Sequence, residues 1–78
     1  MEQIVTRFSK NGSKEVRASL ATYRRRYVVD LRIYYRPLDG SAPRPTRKGI
    51  TLSVKQLPEL KQAVLEMERA LAWLEGAA

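Results

Sequence analysis

Tyr23-Arg24-Arg25-Arg26-Tyr27-Val28-Val29-Asp30-Leu31-Arg32-Ile33-Tyr34-Tyr35-Arg36 is the stretch from which the rest of this chain can be read. Its period of two and its β-branched and aromatic content predict a strand over about 26–36, with Tyr23–Arg26 as the entry turn. On such a strand Tyr27, Val29, Leu31, Ile33 and Tyr35 share one face, and Val28, Asp30, Arg32, Tyr34 and Arg36 share the other. The first set is continuously apolar and is expected to face the core. Pro37 offers no ladder donor and ends the strand. The stretch also interleaves guanidinium groups with aromatic rings. An unpaired nucleic-acid strand presents phosphates and bare base faces, which this combination suits, whereas a duplex hides its base faces. Ordinary strand tyrosines beside a solvated cationic face would look similar. The further cations Arg44, Arg47 and Lys48 after the strand favour the binding reading.

Upstream, Gln3 to Ser9 is β-branched and aromatic and reads as a strand over about 3–9. Asn11-Gly12 is a strong hairpin signal because both residues tolerate positive φ. A second strand is predicted over about 15–22, with Val16, Ala18 and Leu20 on one face and Arg17 and Ser19 on the other. Downstream, residues 37–46 form a proline-rich loop expected to be mobile, and a fourth strand returns over about 47–52. Gly49 follows Arg47-Lys48 and would let a backbone or a ligand approach closely, although the same letters also fit a plain β-turn.

The final element reads as a helix over about 54–75. Ser53 and Gln56 fit a capping box, and Pro58 moves the start of regular helix towards Leu57. Leu57, Leu60, Val64, Met67, Leu71 and Leu74 recur at alternating spacings of three and four, the pattern of a helix–helix seam. Ala63, Ala70 and Trp73 widen the stripe, and Gly76 suits the stop. The stripe could lie on its own sheet. The favoured expectation is that Leu60, Val64, Met67, Leu71 and Leu74 meet the same helix of a second chain, making a homodimer.

Composition narrows the function. Seventy-eight residues make one domain, 1–78, whose core alone is marginal for stability. A methionine start and short length suggest a complete small protein. Cysteine and histidine are absent, so thiolate nucleophiles, imidazole acid–base chemistry and the usual zinc sites are excluded. The eight acids form no metal-binding cluster, and no phosphate-cradling or dinucleotide glycine motif occurs. No enzyme and no cofactor are expected. Residues 1–49 hold 12 Lys/Arg against four acids, while residues 50–78 hold three against four. That imbalance points to a polyanionic partner for the first part. No apolar run approaches the roughly 20 residues of a membrane span, and no signal-peptide core is present, so no membrane partner is expected.

The words Tyr-Arg-Arg-Arg-Tyr-Val-Val-Asp-Leu-Arg-Ile-Tyr-Tyr and Arg-Lys-Gly-Ile-Thr-Leu-Ser, in this order of elements, resemble the transcriptional coactivator called positive cofactor four. The resemblance is to its C-terminal domain for single-stranded DNA and runs from about Val16 to Leu74. It implies an α+β fold: a curved four-stranded antiparallel sheet followed by one long C-terminal helix, dimerising through the helices. Carried over position by position, it places the stacking aromatics on Tyr23 and Tyr35, and phosphate contacts on Arg24, Arg26, Arg32, Arg47 and Lys48. Arg17 on the neighbouring strand and Arg44 in the loop complete the expected DNA-binding set.

The chain departs from the family pattern at three places. Arg25 stands where glycine is usual, so a turn that needs positive φ is expected to differ; the 37–46 loop is one residue longer; and Tyr35 replaces a tryptophan. The serine-rich extension of the eukaryotic coactivators is missing, which favours a prokaryotic or phage protein acting in the cytoplasm at the nucleoid; a eukaryotic one would act in the nucleus. Arg32 and Tyr35 fall on opposite faces of an unbroken strand, so a bulge or strong curvature is needed for both to reach one nucleic-acid strand.

The expected function is therefore a homodimeric, largely sequence-independent single-stranded-DNA-binding protein in transcription regulation or DNA maintenance. Melted duplex and RNA are further candidate ligands. The competing readings are a coactivator module that contacts the transcription machinery through its helix, and an RNA chaperone.

Overall fold

A computed structural model describes residues 2–76. Four antiparallel strands, β1 (Glu2–Asn11), β2 (Lys14–Tyr23), β3 (Arg26–Tyr35) and β4 (Arg44–Ser53), form one sheet in chain order. A 3-10 turn, Val54–Gln56, leads into the helix α1 (Leu57–Gly76). The helix begins where Pro58 allows it, and the Ser53 backbone N–H donates to Gln56 Oε1 at 3.2 Å in the expected cap.

Two boundaries differ from expectation for local reasons. β1 runs on to Asn11, which pairs with Lys14, so Gly12-Ser13 rather than Asn11-Gly12 makes the tight turn, with Gly12 at φ +22°. β4 begins at Arg44 rather than 47, because Pro45 pairs opposite Tyr34 and Arg44 opposite Tyr35. The last residues of the supposed loop are thus strand. Proline is tolerated there because β4 is an edge of the sheet.

Register assigns the faces. Opposite partners place Val16, Ala18 and Leu20 of β2 with Ile33, Leu31 and Val29 of β3, continued by Phe8 on β1 and by Ile50 and Leu52 on β4. The other face holds Glu15, Arg17 and Ser19 with Tyr34, Arg32 and Asp30. The expected core face is largely open: of its β3 residues Val29 alone is buried, and Tyr27 is 66% and Tyr35 37% exposed. The polar face is the better covered, burying Glu15, Ser19, Asp30 and Tyr34. The reason lies in the helix. α1 buries none of its residues and hardly touches the strands, so no described element covers the apolar face.

Global dimensions agree. A compact chain of this length has a radius of gyration of about 11.5 Å, against 15.4 Å here. The accessible surface is 6706 Å², roughly 1,900 Å² more than a folded monomer of this mass usually shows.

Candidate nucleic-acid interface

The β2–β3 hairpin closes on the pair Tyr23 and Arg26, leaving a two-residue turn. Its central residues, Arg24 at φ +51° and Arg25 at φ +65°, both lie in the left-handed region. This geometry matches the right-handed twist of the flanking strands and is normally filled by asparagine and glycine. The turn therefore does not change to suit Arg25, as the sequence led us to expect; Arg25 adopts the strained conformation instead. Arg24 turns its guanidinium over the Tyr23 ring, 5.3 Å from the centroid, while Tyr23 remains 62% exposed. Such a contact holds the ring at the rim without hiding it.

A bulge shapes the opposite edge. Between the pairs Arg32–Gly49 and Tyr34–Pro45, Ile33 of β3 faces Thr46, Arg47 and Lys48 of β4. Thr46 pins the extra residues: its hydroxyl donates to the Ile33 carbonyl at 2.8 Å and accepts the Lys48 N–H at 3.1 Å. Arg47 and Lys48 are consequently exposed at the sheet edge. Gly49 does need its missing side chain, but because of β3 rather than a ligand. A Cβ there would lie 2.8 Å from Arg32 Cα and against the Leu31 carbonyl oxygen.

The inner arginines are engaged within the chain. Arg32 donates to both carboxylate oxygens of Asp30, at 3.0 and 2.8 Å, and to the Thr46 carbonyl at 3.2 Å. The Thr51 hydroxyl donates to Asp30 at 2.7 Å. These hydrogen bonds, Arg32's above all, hold the Asp30 carboxyl below its ordinary value despite partial burial. Arg17 lies over the buried Tyr34 ring at 4.4 Å and pairs with Glu15 at 3.1 Å, and the more exposed Arg36 approaches Glu15 at 3.8 Å. Burial pushes the Glu15 carboxyl upward, but Arg17, Arg36 and Arg7 outweigh it and the net shift is downward.

The expected residues thus fall into distinct groups. Tyr23, Arg24 and Arg26 come together at the β2–β3 hairpin, and Arg47 and Lys48 at the β4 bulge. Arg17 and Arg32 share the polar face. Arg44 opens β4 beside Tyr35, which lies on the apolar face at the far end of β3 from Tyr23. Arg26 and Tyr35 are the two ends of the 10-residue strand β3, about 30 Å apart. The pairing of β3 with β2 is unbroken, so Arg32 and Tyr35 stay on opposite faces, and the bulge belongs to β4. Sequence reasoning passed over Glu15, Thr46, Thr51 and the Tyr34 platform. The matched i, i+2 pairs Glu15/Arg17 and Asp30/Arg32 were the available signal.

An open four-stranded meander, cations grouped at a hairpin and an edge bulge, and a helix held off its own sheet define the class of protein. The family model described as transcriptional coactivator p15 (PC4) matches residues 10–63, and the chain belongs to that family. It is similar to BPSL1147, a PC4 homolog from Burkholderia pseudomallei K96243. The orthorhombic crystal form superposes with a TM-score of 0.78 at 30% identity, covering 86% of this chain and 89% of that one. The tetragonal form gives 0.78 at 28% identity, covering 87% and 98%. A bacteriophage T5 homolog of the eukaryotic coactivator, implicated in recombination-dependent DNA replication, shares the fold, with a TM-score of 0.68 at 14% identity over 99% of this chain and 85% of that one. No curated protein matches the chain. Among the described residues, no helix is long and apolar enough to cross a membrane.

Proposed function

We propose that this protein is a homodimeric single-stranded-DNA-binding protein of low sequence preference, acting in transcription regulation or DNA maintenance. The observation that carries the reading is the division of its cations. Arg17 and Arg32 are tied to carboxylates, whereas Arg26, Arg47 and Lys48 stand exposed and have no ion pair among the described residues. Arg26 pairs opposite Tyr23, whose ring is held outward under Arg24, while Arg47 and Lys48 stand at the β4 bulge further along the sheet. Exposed cations neutralise phosphates, and an exposed ring held in place stacks on a base, worth about 1–3 kcal/mol per base. Arg44, at the start of β4, adds a phosphate contact beside Tyr35. Tyr35 is a second stacking residue on a separate tract of the surface, and Arg17 and Arg32 act chiefly by shaping the sheet between the two.

The dimer reading rests on the uncovered apolar surface. Val64, Met67, Leu71 and Leu74 are 44–70% exposed on α1, and the half-buried Leu60 continues their line. The excess surface is of the size one partner buries in an obligate interface. A second copy placing its helix here would supply the missing core and a second nucleic-acid tract.

Fluorescence anisotropy with a labelled single strand of about 20 nucleotides tests the reading, using duplex and RNA competitors at several salt concentrations. Tight binding that weakens with salt and resists duplex competition is expected. Tyr23→Ala and Tyr35→Ala should weaken single-strand binding more than duplex binding. Equal losses on both would remove the stacking mechanism. Equal competition by duplex would leave a general polyanion patch and favour a module that contacts the transcription machinery through the exposed helix, where Trp73 is 73% exposed.

A further inference from the structure

Arg25 is held at a conformational cost that the fold does not need. At φ +65° an L-residue places its Cβ against the following carbonyl, and glycine would hold the same backbone freely. Arg24 at least gains the Tyr23 ring. Arg25 gains nothing inside the protein: it is exposed, and its side chain has no hydrogen bond, ion pair or ring contact among the described residues.

The fold also brings a third cation to this corner from thirty residues away. An open cleft of about 470 Å³ is lined by Arg25, Arg26, Tyr27, Ser53, Val54 and Lys55. Three cations line it and no acid does, and Lys55, in the 3-10 turn before α1, is likewise exposed and without a side-chain partner among the described residues. Like charges gathered without a counter-ion oppose folding. Strain and repulsion at one exposed place, with no return in stability, mark a site that functions through its ligand.

We infer that Arg25, Arg26 and Lys55 form a phosphate subsite for the backbone of a bound single strand, carrying it past the tip of the β2–β3 hairpin towards the base of the helix. The inference rests on the single-strand reading above and adds to it two residues, Arg25 and Lys55, and a direction for the strand. The cleft suits a phosphodiester because planar guanidinium groups grip phosphate oxygens in pairs, and an ammonium adds a point charge.

The test uses the full chain, a labelled oligodeoxythymidylate of about 20 nucleotides, and log affinity against log salt. Each lost phosphate contact lowers the slope by about 0.7. Arg25→Gly should lower the slope by about that amount while raising the melting temperature by about 4 °C or more, since strain is relieved. Lys55→Gln should lower the slope similarly, and Arg25→Lys should retain it. Slope loss in a variant that melts at or above the parent cannot come from unfolding. Unchanged slopes in Arg25→Gly and Lys55→Gln, with Tyr23→Ala still impaired, would overturn the subsite and leave the single-strand reading standing. Slope loss in Arg25→Gly alone would overturn the shared cleft. Failure of the parent to bind the oligonucleotide would end both readings together.

Discussion

The two faces of the sheet solve opposite problems. On the polar face, Glu15, Asp30 and Tyr34 are buried in a single chain because arginines complete them: Arg17 spans the tyrosine ring and pairs with Glu15, and Arg32 grips Asp30. On the apolar face, aliphatic and aromatic side chains remain open because α1 leaves the sheet. Hydrogen-bonded charge pairs are short-range and directional, so residues two apart on one face of a strand satisfy them at once. Apolar surface asks only for area, and a four-stranded sheet of this size cannot cover its own. One face is finished by the chain itself, and the other is left uncovered by the described elements.

Loading the apolar side with charge should have the largest effect. Leu71→Asp, on the exposed ridge of α1, should give a monomer by light scattering and lose about 3 kcal/mol or more of stability, since the acid would sit in an apolar contact. A dimer of unchanged melting temperature would show that this ridge covers nothing. On the polar side, Asp30→Ala strips Arg32 of its carboxylate while Thr46 still holds it, and urea denaturation should show a loss of about 2–3 kcal/mol. A loss below that of an ordinary surface substitution would mean that the polar face is not a core. Gly49→Ala acts on the junction of β3 with the edge strand β4. Its Cβ would press on the β3 backbone, so β4 must shift, at a cost of about 1–2 kcal/mol in the same assay.

The smallest effect is the pH response, which within the sheet belongs to the polar face. In the folded chain Asp30 and Glu15 bind their protons more weakly than their ordinary values of 3.8 and 4.5 imply. The unfolded state therefore takes up more protons as acid is added, and stability falls as the pH drops below about 4.5 and through the depressed values. Above that range the contribution is fully present. Thermal melts of Asp30→Asn should show a shallower acid loss than the parent, and an identical profile would remove Asp30 from the cause.

Local patterning was legible wherever one residue's neighbours along the chain decided the outcome. The alternation of Tyr27 to Tyr35 located β3, and Ser53, Gln56 and Pro58 located the start of the helix. The hairpin at Gly12-Ser13 slipped by one residue because turn register depends on which pair across the strands closes the ladder, here Asn11 with Lys14. The β4 bulge was hidden for the same reason. Thr46 matters through the Ile33 carbonyl, a partner thirteen residues away. Cations for a nucleic-acid partner could be counted in advance, but the letters Arg17 and Arg26 do not distinguish a salt-bridged side chain from a free one.

By itself the sequence determined the order of strands and helix, the family, the absence of thiol and imidazole chemistry, and the cationic bias of residues 1–49. These depend on residue identity and on periods of two and three to four, which are properties of neighbours. Only the tertiary structure decided that Tyr34 rather than Tyr35 is buried, that Arg17 and Arg32 spend their charge inside the chain, that Arg25 keeps a left-handed turn, and that Lys55 lines one cleft with Arg25. Each of these is set by strand register or by an encounter between distant segments, and no local pattern records where a strand's partner will place its next residue.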